Sequence, residues 1–314
     1  MEKYSTNPIS NFTVYLNFVI VKYVMKSQDK LIQQLSSSIE SGFFMHENLK
    51  LHYIKTGKGN PLILLHGATM GWGQWVPNID SLAQSFTVFA LDLPGAGLST
   101  KIDFQKYSFN KAFIDSIIQF IHYYSLTNIR VIGHSTGGLI ACHLVSSLPQ
   151  VKSVVLVNPV GLGGKTPLPF RLLSLPGFAS LLTKVLIGKS KKKLKFFLTE
   201  PLYQKKSISD TFVDYVFESS SSKEWLGPLH LISIMTSLKG IKKKFMALDK
   251  IGKTDKKILL IWGQYDDTFD LKEVQENIKF FPHVRLSIMK DTAHVPNMER
   301  SKEFNEIVLP FLEK

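Results

Sequence analysis

Gly133-His134-Ser135-Thr136-Gly137 stands between the apolar run Ile129–Ile132 and a helix-like stretch, GLIACHLVSS. Serine is a weak nucleophile near neutral pH and needs a base to take its proton. It must also stand clear of its own backbone, which a sharp strand-to-helix turn achieves, and that turn leaves no room for side chains at positions 133 and 137. The first N–H groups of the following helix, with the positive end of its dipole, face the same point. The segment therefore reads as a nucleophile, Ser135, at the tip of an elbow.

The groups that such a serine needs lie further along the chain, in the order acid and then histidine. His294, in DTAHVPN, follows the strand-like VRLSIM and precedes a closing helix, which suits a general base. The acid that orients it belongs at the end of the strand before, in ILLIWGQYDD, where Asp266 and Asp267 both qualify. Two N–H groups must face the oxyanion of the intermediate. One is that of Thr136; the other comes from the loop His66-Gly67-Ala68-Thr69, with Ala68 the first choice and Thr69 the second. His134, Thr69 and Asn158 are the candidate substrate-binding residues, although Asn158-Pro159 serves equally well as a plain hinge. Trp72 and Trp75 either wall a pocket or pack against helices. Cys142 reads as inert core and His66 as structural.

The elements that must hold these groups follow from hydrophobic patterning. Phe43–Thr56 alternates like a β-hairpin with a turn near Glu47-Asn48. Short apolar runs at Leu62–Leu65, Thr87–Leu91, Ile129–Ile132 and Ser153–Val157 alternate with helix-length segments such as Asn110–Tyr124 and Gly137–Leu148. That rhythm predicts an α/β protein with a mostly parallel sheet covered by helices on both faces. It stops at Pro159, gives way to a Pro-punctuated helical and loop-like block over 161–252, and resumes with strands at Lys257–Trp262 and Val284–Met289 and a helix at Ser301–Leu312. The expected organisation is an N-terminal extension (1–42), a core (43–160 and 253–314) and a helical cap (161–252) inserted after the sixth strand. In the extension, Phe12–Met25 is apolar but shorter than the roughly 20 residues that span a bilayer, and Asn17 and Lys22 interrupt it. It reads as an interfacial helix or a helix packed on the domain.

These segments resemble the α/β-hydrolase superfamily, and within it the capped serine hydrolases of esterase or lipase type. LLHG at 64–67 is similar to the oxyanion-loop motif, DLPGAGLS at 92–99 to the D-x-x-G-x-G-x-S segment, and GHSTGG at 133–138 to the nucleophile elbow. WGQYD at 262–266 is similar to the acid-bearing strand end, which favours Asp266 over Asp267, and 293–312 to the histidine loop and final helix. The resemblance covers about 43–160 and 255–314. It implies a Ser135–His294–Asp266 triad, an oxyanion hole of Ala68 and Thr136, and no metal or organic cofactor. The chain departs from the family in carrying Thr136 where a bulkier residue is frequent. Serine rather than aspartate at the nucleophile position argues against dehalogenases and epoxide hydrolases.

The chain has 314 residues, a net charge of +13 and one cysteine. Segment 165–253 holds sixteen lysines and one arginine against six acidic residues, so it carries +11 of that excess. A lysine-rich face is either simply solvated or meets anionic lipid or an acidic partner, with Lys191–Lys193 and Lys242–Lys244 the strongest runs. The cap segments FRLLSLPGFASLLTKVLI and LGPLHLISIMTSL are too apolar to be wholly solvated and imply an acyl pocket beneath them. The expected substrate is a small-molecule ester or acyl lipid, reached by a cytoplasmic protein with peripheral membrane contact through its cap and without a nucleic-acid partner. A carbon–carbon bond hydrolase or thioesterase on the same triad is the alternative within the class. A non-catalytic binding protein of this fold is the alternative outside it. An aminopeptidase would want an acidic cap, and this one is basic.

Overall fold

The computed structural model describes residues 26–68, 70–102, 107–187, 190–220 and 227–314. The apolar segment Phe12–Met25 and the candidate Thr69 lie outside the described residues. Eight strands form one sheet: β1 (Glu40–His46), β2 (Leu49–Thr56), β3 (Asn60–Leu65), β4 (Phe86–Leu91), β5 (Ile129–His134), β6 (Val151–Val157), β9 (Lys257–Gly263) and β10 (Val284–Met289). Their order is β1-β2-β4-β3-β5-β6-β9-β10, and only β2 runs against the rest. The strand sequences explain this. β3, β5, β6 and β9 are mostly apolar and almost wholly buried because both faces are covered. Successive residues feed opposite faces: Ile63 and Leu65 join the core against helix Thr136–Ser147, whereas Leu62 and Leu64 join the core against helix Ser301–Leu312.

The sheet begins at Glu40, three residues before the boundary expected at Phe43, and residues 26–39 pack on the domain. Helix Lys26–Ile32 buries Leu31, and Ser27 donates to Glu218 of helix Asp210–Ser219. The β1–β2 turn has Glu47 at φ 50°, as a two-residue hairpin loop requires.

Between β6 and β9 the chain forms helices Leu168–Leu172, Phe178–Leu182, Lys191–Thr199, Asp210–Ser219 and Gly227–Met235. Phe178–Leu182 runs on through a π-helical turn at Thr183–Ile187. Ser190 and Ser209 cap two of these helices, their hydroxyls accepting from Lys193 and Phe212 N–H. The block is not wholly helix and loop: Thr236–Ser237 (β7) and Gly240–Ile241 (β8) pair as a small hairpin. Two-residue strands leave no periodicity to read, so patterning misses them. Gly240, which opens β8 at φ 119°, lies against the backbone of Gly164: a Cβ there would lie 2.1 Å from the Gly164 carbonyl oxygen. Among the described residues, no helix is long and apolar enough to cross a membrane.

Candidate active site

The loops after β3, β5, β9 and β10 open at one edge of the sheet, where parallel strands end and ligands of such sheets bind. After β5 the chain turns at Ser135, whose φ of 51° and ψ of −111° lie in a region that non-glycine residues rarely adopt. The turn is closed by Ser135 N–H donating to Val157 O and Val160 N–H donating to Ser135 O. A Cβ at Gly133 would sit 2.3 Å from Gly137 O, and one at Gly137 would sit 2.2 Å from Leu65 O. Glycine at both positions is therefore a steric requirement.

His294, on the loop after β10, brings Nε2 to 3.2 Å from Ser135 Oγ. Its Nδ1 lies 3.1 and 3.2 Å from the two carboxylate oxygens of Asp266, on the loop after β9. The Asp266 side chain is fully buried, whereas Asp267 is exposed and takes no part. The structure thus brings Ser135, His294 and Asp266 into line. Thr136 is the first residue of its helix, so its N–H has no intrahelical acceptor. With Ala68 it lines the cavity beside Ser135.

Asn158 is a correction. It was expected to contact substrate, but it is fully buried and does not line the cavity. Its amide nitrogen donates to Asp266 Oδ2 at 2.6 Å and to Ala293 O at 3.1 Å, and its oxygen accepts Gly263 N–H at 3.0 Å. With Thr268 N–H on Oδ1 at 2.9 Å, it fixes the carboxylate that faces His294. His134 does reach the cavity, though chiefly as a support: its Nε2–H donates to His294 O at 2.7 Å. Burial, and then the neighbouring His294, push its pKa well below the usual imidazole value, which keeps it neutral. Trp72 and Trp75 are fully buried packing residues. Burial pushes the Cys142 thiol up to about 12, so it is unreactive. His66 is structural, its Nε2 accepting Leu93 N–H at 2.8 Å.

Glu299 is a supporting residue that sequence reasoning missed. One carboxylate oxygen accepts the N–H groups of Ala293 and Val295, on either side of His294, at 2.9 and 3.2 Å. The other accepts Tyr203 and Gln204 N–H, both at 2.8 Å, from the loop after helix Lys191–Thr199. His294 N–H itself donates to Pro201 O at 3.1 Å, and Tyr203 stacks on Tyr265 beside Asp266. The nearest signal in the sequence is an acidic residue five positions after the histidine, which nothing distinguishes from an ordinary helix-start glutamate.

Above Ser135 lies a cavity of about 900 Å³, counting the part open to solvent. Phe170, Phe197, Leu198, Ile232 and Met235 form its apolar wall, all from between β6 and β9. Among the described residues that line it there is no lysine or arginine, and Glu200 is the one charged side chain.

Residues 60–187 match the family model described as alpha/beta hydrolase fold. The chain is 26% identical over 278 residues to the dihydrolipoyllysine-residue acetyltransferase component of an acetoin cleaving system from Cupriavidus necator; the match covers 83% of the chain but 66% of that relative's length. It is 23% identical over 272 residues to 2-hydroxy-6-oxo-6-phenylhexa-2,4-dienoate hydrolase from Comamonas testosteroni, covering 83% of the chain and 91% of that protein. Naproxen esterase from Bacillus subtilis superposes with a TM-score of 0.73 at 18% identity, over 91% of the chain and 95% of the esterase. The sheet order, the strained serine turn and the matched stretch agree, and the chain has the α/β-hydrolase fold.

Proposed function

We propose that the protein is a serine hydrolase that cleaves a carboxylic ester with an apolar acyl group. The observation that carries this reading is the line from Ser135 Oγ through His294 to buried Asp266, at the floor of an apolar cavity. Ser135 Oγ attacks the acyl carbonyl as His294 Nε2 takes its proton, while Asp266 holds the tautomer with the proton on Nδ1 and stabilises the imidazolium. The Thr136 and Ala68 N–H groups receive the oxyanion. The intermediate collapses, the alkoxide leaves with the proton from His294, and water, deprotonated by the same nitrogen, releases the acid. The reaction draws on these residues and water, with no cofactor.

The unpartnered, buried hydroxyl of Thr136 borders the cavity, which supports a substrate with a polar atom beside the scissile carbonyl. The second reading, a carbon–carbon hydrolase, rests on the dienoate named for one relative. A substrate bearing a carboxylate would want a cation in its pocket, and the described lining offers none. The ester reading is therefore preferred. Hydrolysis of nitrophenyl esters with acyl chains from two to sixteen carbons tests it, and a medium or long optimum is expected. Turnover of dienoate ketones, with every ester inert, would transfer the assignment to the second reading.

A further inference from the structure

The surface of helix Lys191–Thr199 is sorted into stripes of residues four apart, one helical turn. Leu194 and Leu198 are buried. Lys191 and Lys195 lie along helix Asp210–Ser219, each 2.7 Å from a carboxylate, those of Asp214 and Asp210. Lys192 and Phe196 face away from the core, and Phe196 is 73% exposed. Lys193 reaches across to Val185 O at 2.8 Å, so the segment around Val185 lies alongside. There Leu181 and Val185, again four apart, are 56% and 52% exposed, and Lys184 between them is exposed too.

Isolated apolar side chains on a surface need no explanation, but a contiguous patch rimmed by charge does. Seven of the twelve large apolar side chains exposed among the described residues fall between 161 and 252, a stretch that also carries +10 of the chain's charge. We propose that Leu181, Val185 and Phe196, with Lys184, Lys192 and Lys193, dock this edge of the protein on an anionic membrane surface. The apolar side chains enter the headgroup boundary and the ammonium groups meet the lipid charge. Lysines on flexible stems suit diffuse attraction to a charged surface, whereas paired recognition of single phosphates would call for arginine. Phe197, next to Phe196 on the same helix, lines the cavity above Ser135, so docking brings the cavity wall against the lipid. The docking does not depend on the chemistry proposed above.

The test is co-sedimentation of the full chain with vesicles of phosphatidylcholine alone and with added phosphatidylglycerol, in the Ser135→Ala background so that no lipid is consumed. Binding is expected only with the anionic lipid, weakening as salt rises. Each lysine at such a surface contributes about fivefold, so Lys192→Glu with Lys193→Glu should weaken binding more than tenfold, and Phe196→Ser several-fold. All these side chains are exposed, and circular dichroism should show the fold unchanged. Failure to bind anionic vesicles overturns the proposal, as does equal binding to both vesicle types. Binding that the substitutions leave untouched overturns it too, by assigning the lipid contact to another part of the chain. Self-association that Phe196→Ser abolishes, without vesicle binding, would give the patch to a second copy.

Discussion

Among the described residues two Ser–His–Asp lines occur, and that through His294 borders the apolar cavity. His294 joins Ser135 at 3.2 Å to Asp266 at 3.1 Å. His52 joins Ser41 at 2.9 Å to Asp92 at 2.7 Å, which by distance alone is the tighter arrangement. The difference lies in what surrounds them. Ser135 stands on a left-handed turn at the start of a helix, beside the loop after β3 and under an apolar roof. Ser41 lies in a regular ladder on edge strand β1, paired with Ile54, and no helix follows it to supply donors. Asp92 spends its remaining lone pairs on structure, accepting from Trp72 N–H and Tyr215 O–H on one oxygen and from Leu98 N–H on the other. A triad geometry is thus a common solution to burying a carboxylate. It becomes chemistry where an oxyanion site and a cavity accompany it.

Serine substitutions separate the two lines most sharply. Ser135→Ala should lower ester turnover by about 10⁴-fold or more, while Ser41→Ala, an exposed change, leaves it within about twofold. A large loss from Ser41→Ala would break the comparison. The aspartates should then divide activity from stability. Asp266→Asn is expected to cut kcat by about 10⁴ through the wrong imidazole tautomer with little change in the urea midpoint. Asp92→Asn leaves His52 without its buried partner and should destabilise the fold by roughly 3–5 kcal/mol, with near-parental kcat per folded molecule. Reversal of that pattern in paired kinetic and unfolding measurements would exchange the two assignments.

Asn158→Ala sharpens the contrast at the next level. It frees one oxygen of Asp266 while sparing the three aligned residues, and a drop in kcat of about 10²-fold or less, with KM little changed, is expected for a misplaced acid. An effect on KM alone would return Asn158 to substrate contact. The smallest effect concerns acid. Burial alone would raise the Asp92 carboxyl, but its hydrogen bond and charge interaction with His52, assisted by His66 and Leu98 N–H, outweigh it and hold the group well below the ordinary carboxylate range. The unfolded chain then binds a proton that the folded chain refuses. The corresponding stability is complete above the unfolded value near 4 and is lost as pH falls below it. Urea midpoints measured from pH 6 to 3 should fall less steeply for Asp92→Asn than for the parent; identical slopes would remove Asp92 from the acid response.

How far the sequence exposed these features depended on whether the information was local. The strands around the elbow are largely apolar, and Gly133, Ser135 and Gly137 are close neighbours, so the turn was legible from a few residues. His294 was legible from its position between a strand and the last helix. Asp266 could be told from Asp267 only through the family resemblance, because both follow the same strand and burial decides between them. Asn158 and Asp266 are 108 positions apart, and Glu299 meets Tyr203 across 96. Asparagine at a strand end and glutamate at a helix start have ordinary local explanations that hide such long-range partners. The His52–Asp92 line was equally invisible, since neither residue sits in a pattern that points to the other.

The four N–H groups gathered by Glu299 tie one margin of the cavity, at Pro201, to the loop that carries His294. Because the residues on either side of His294 share that carboxylate with Tyr203 and Gln204, and His294 N–H itself donates to Pro201 O, that margin cannot swing away from Ser135 without displacing His294.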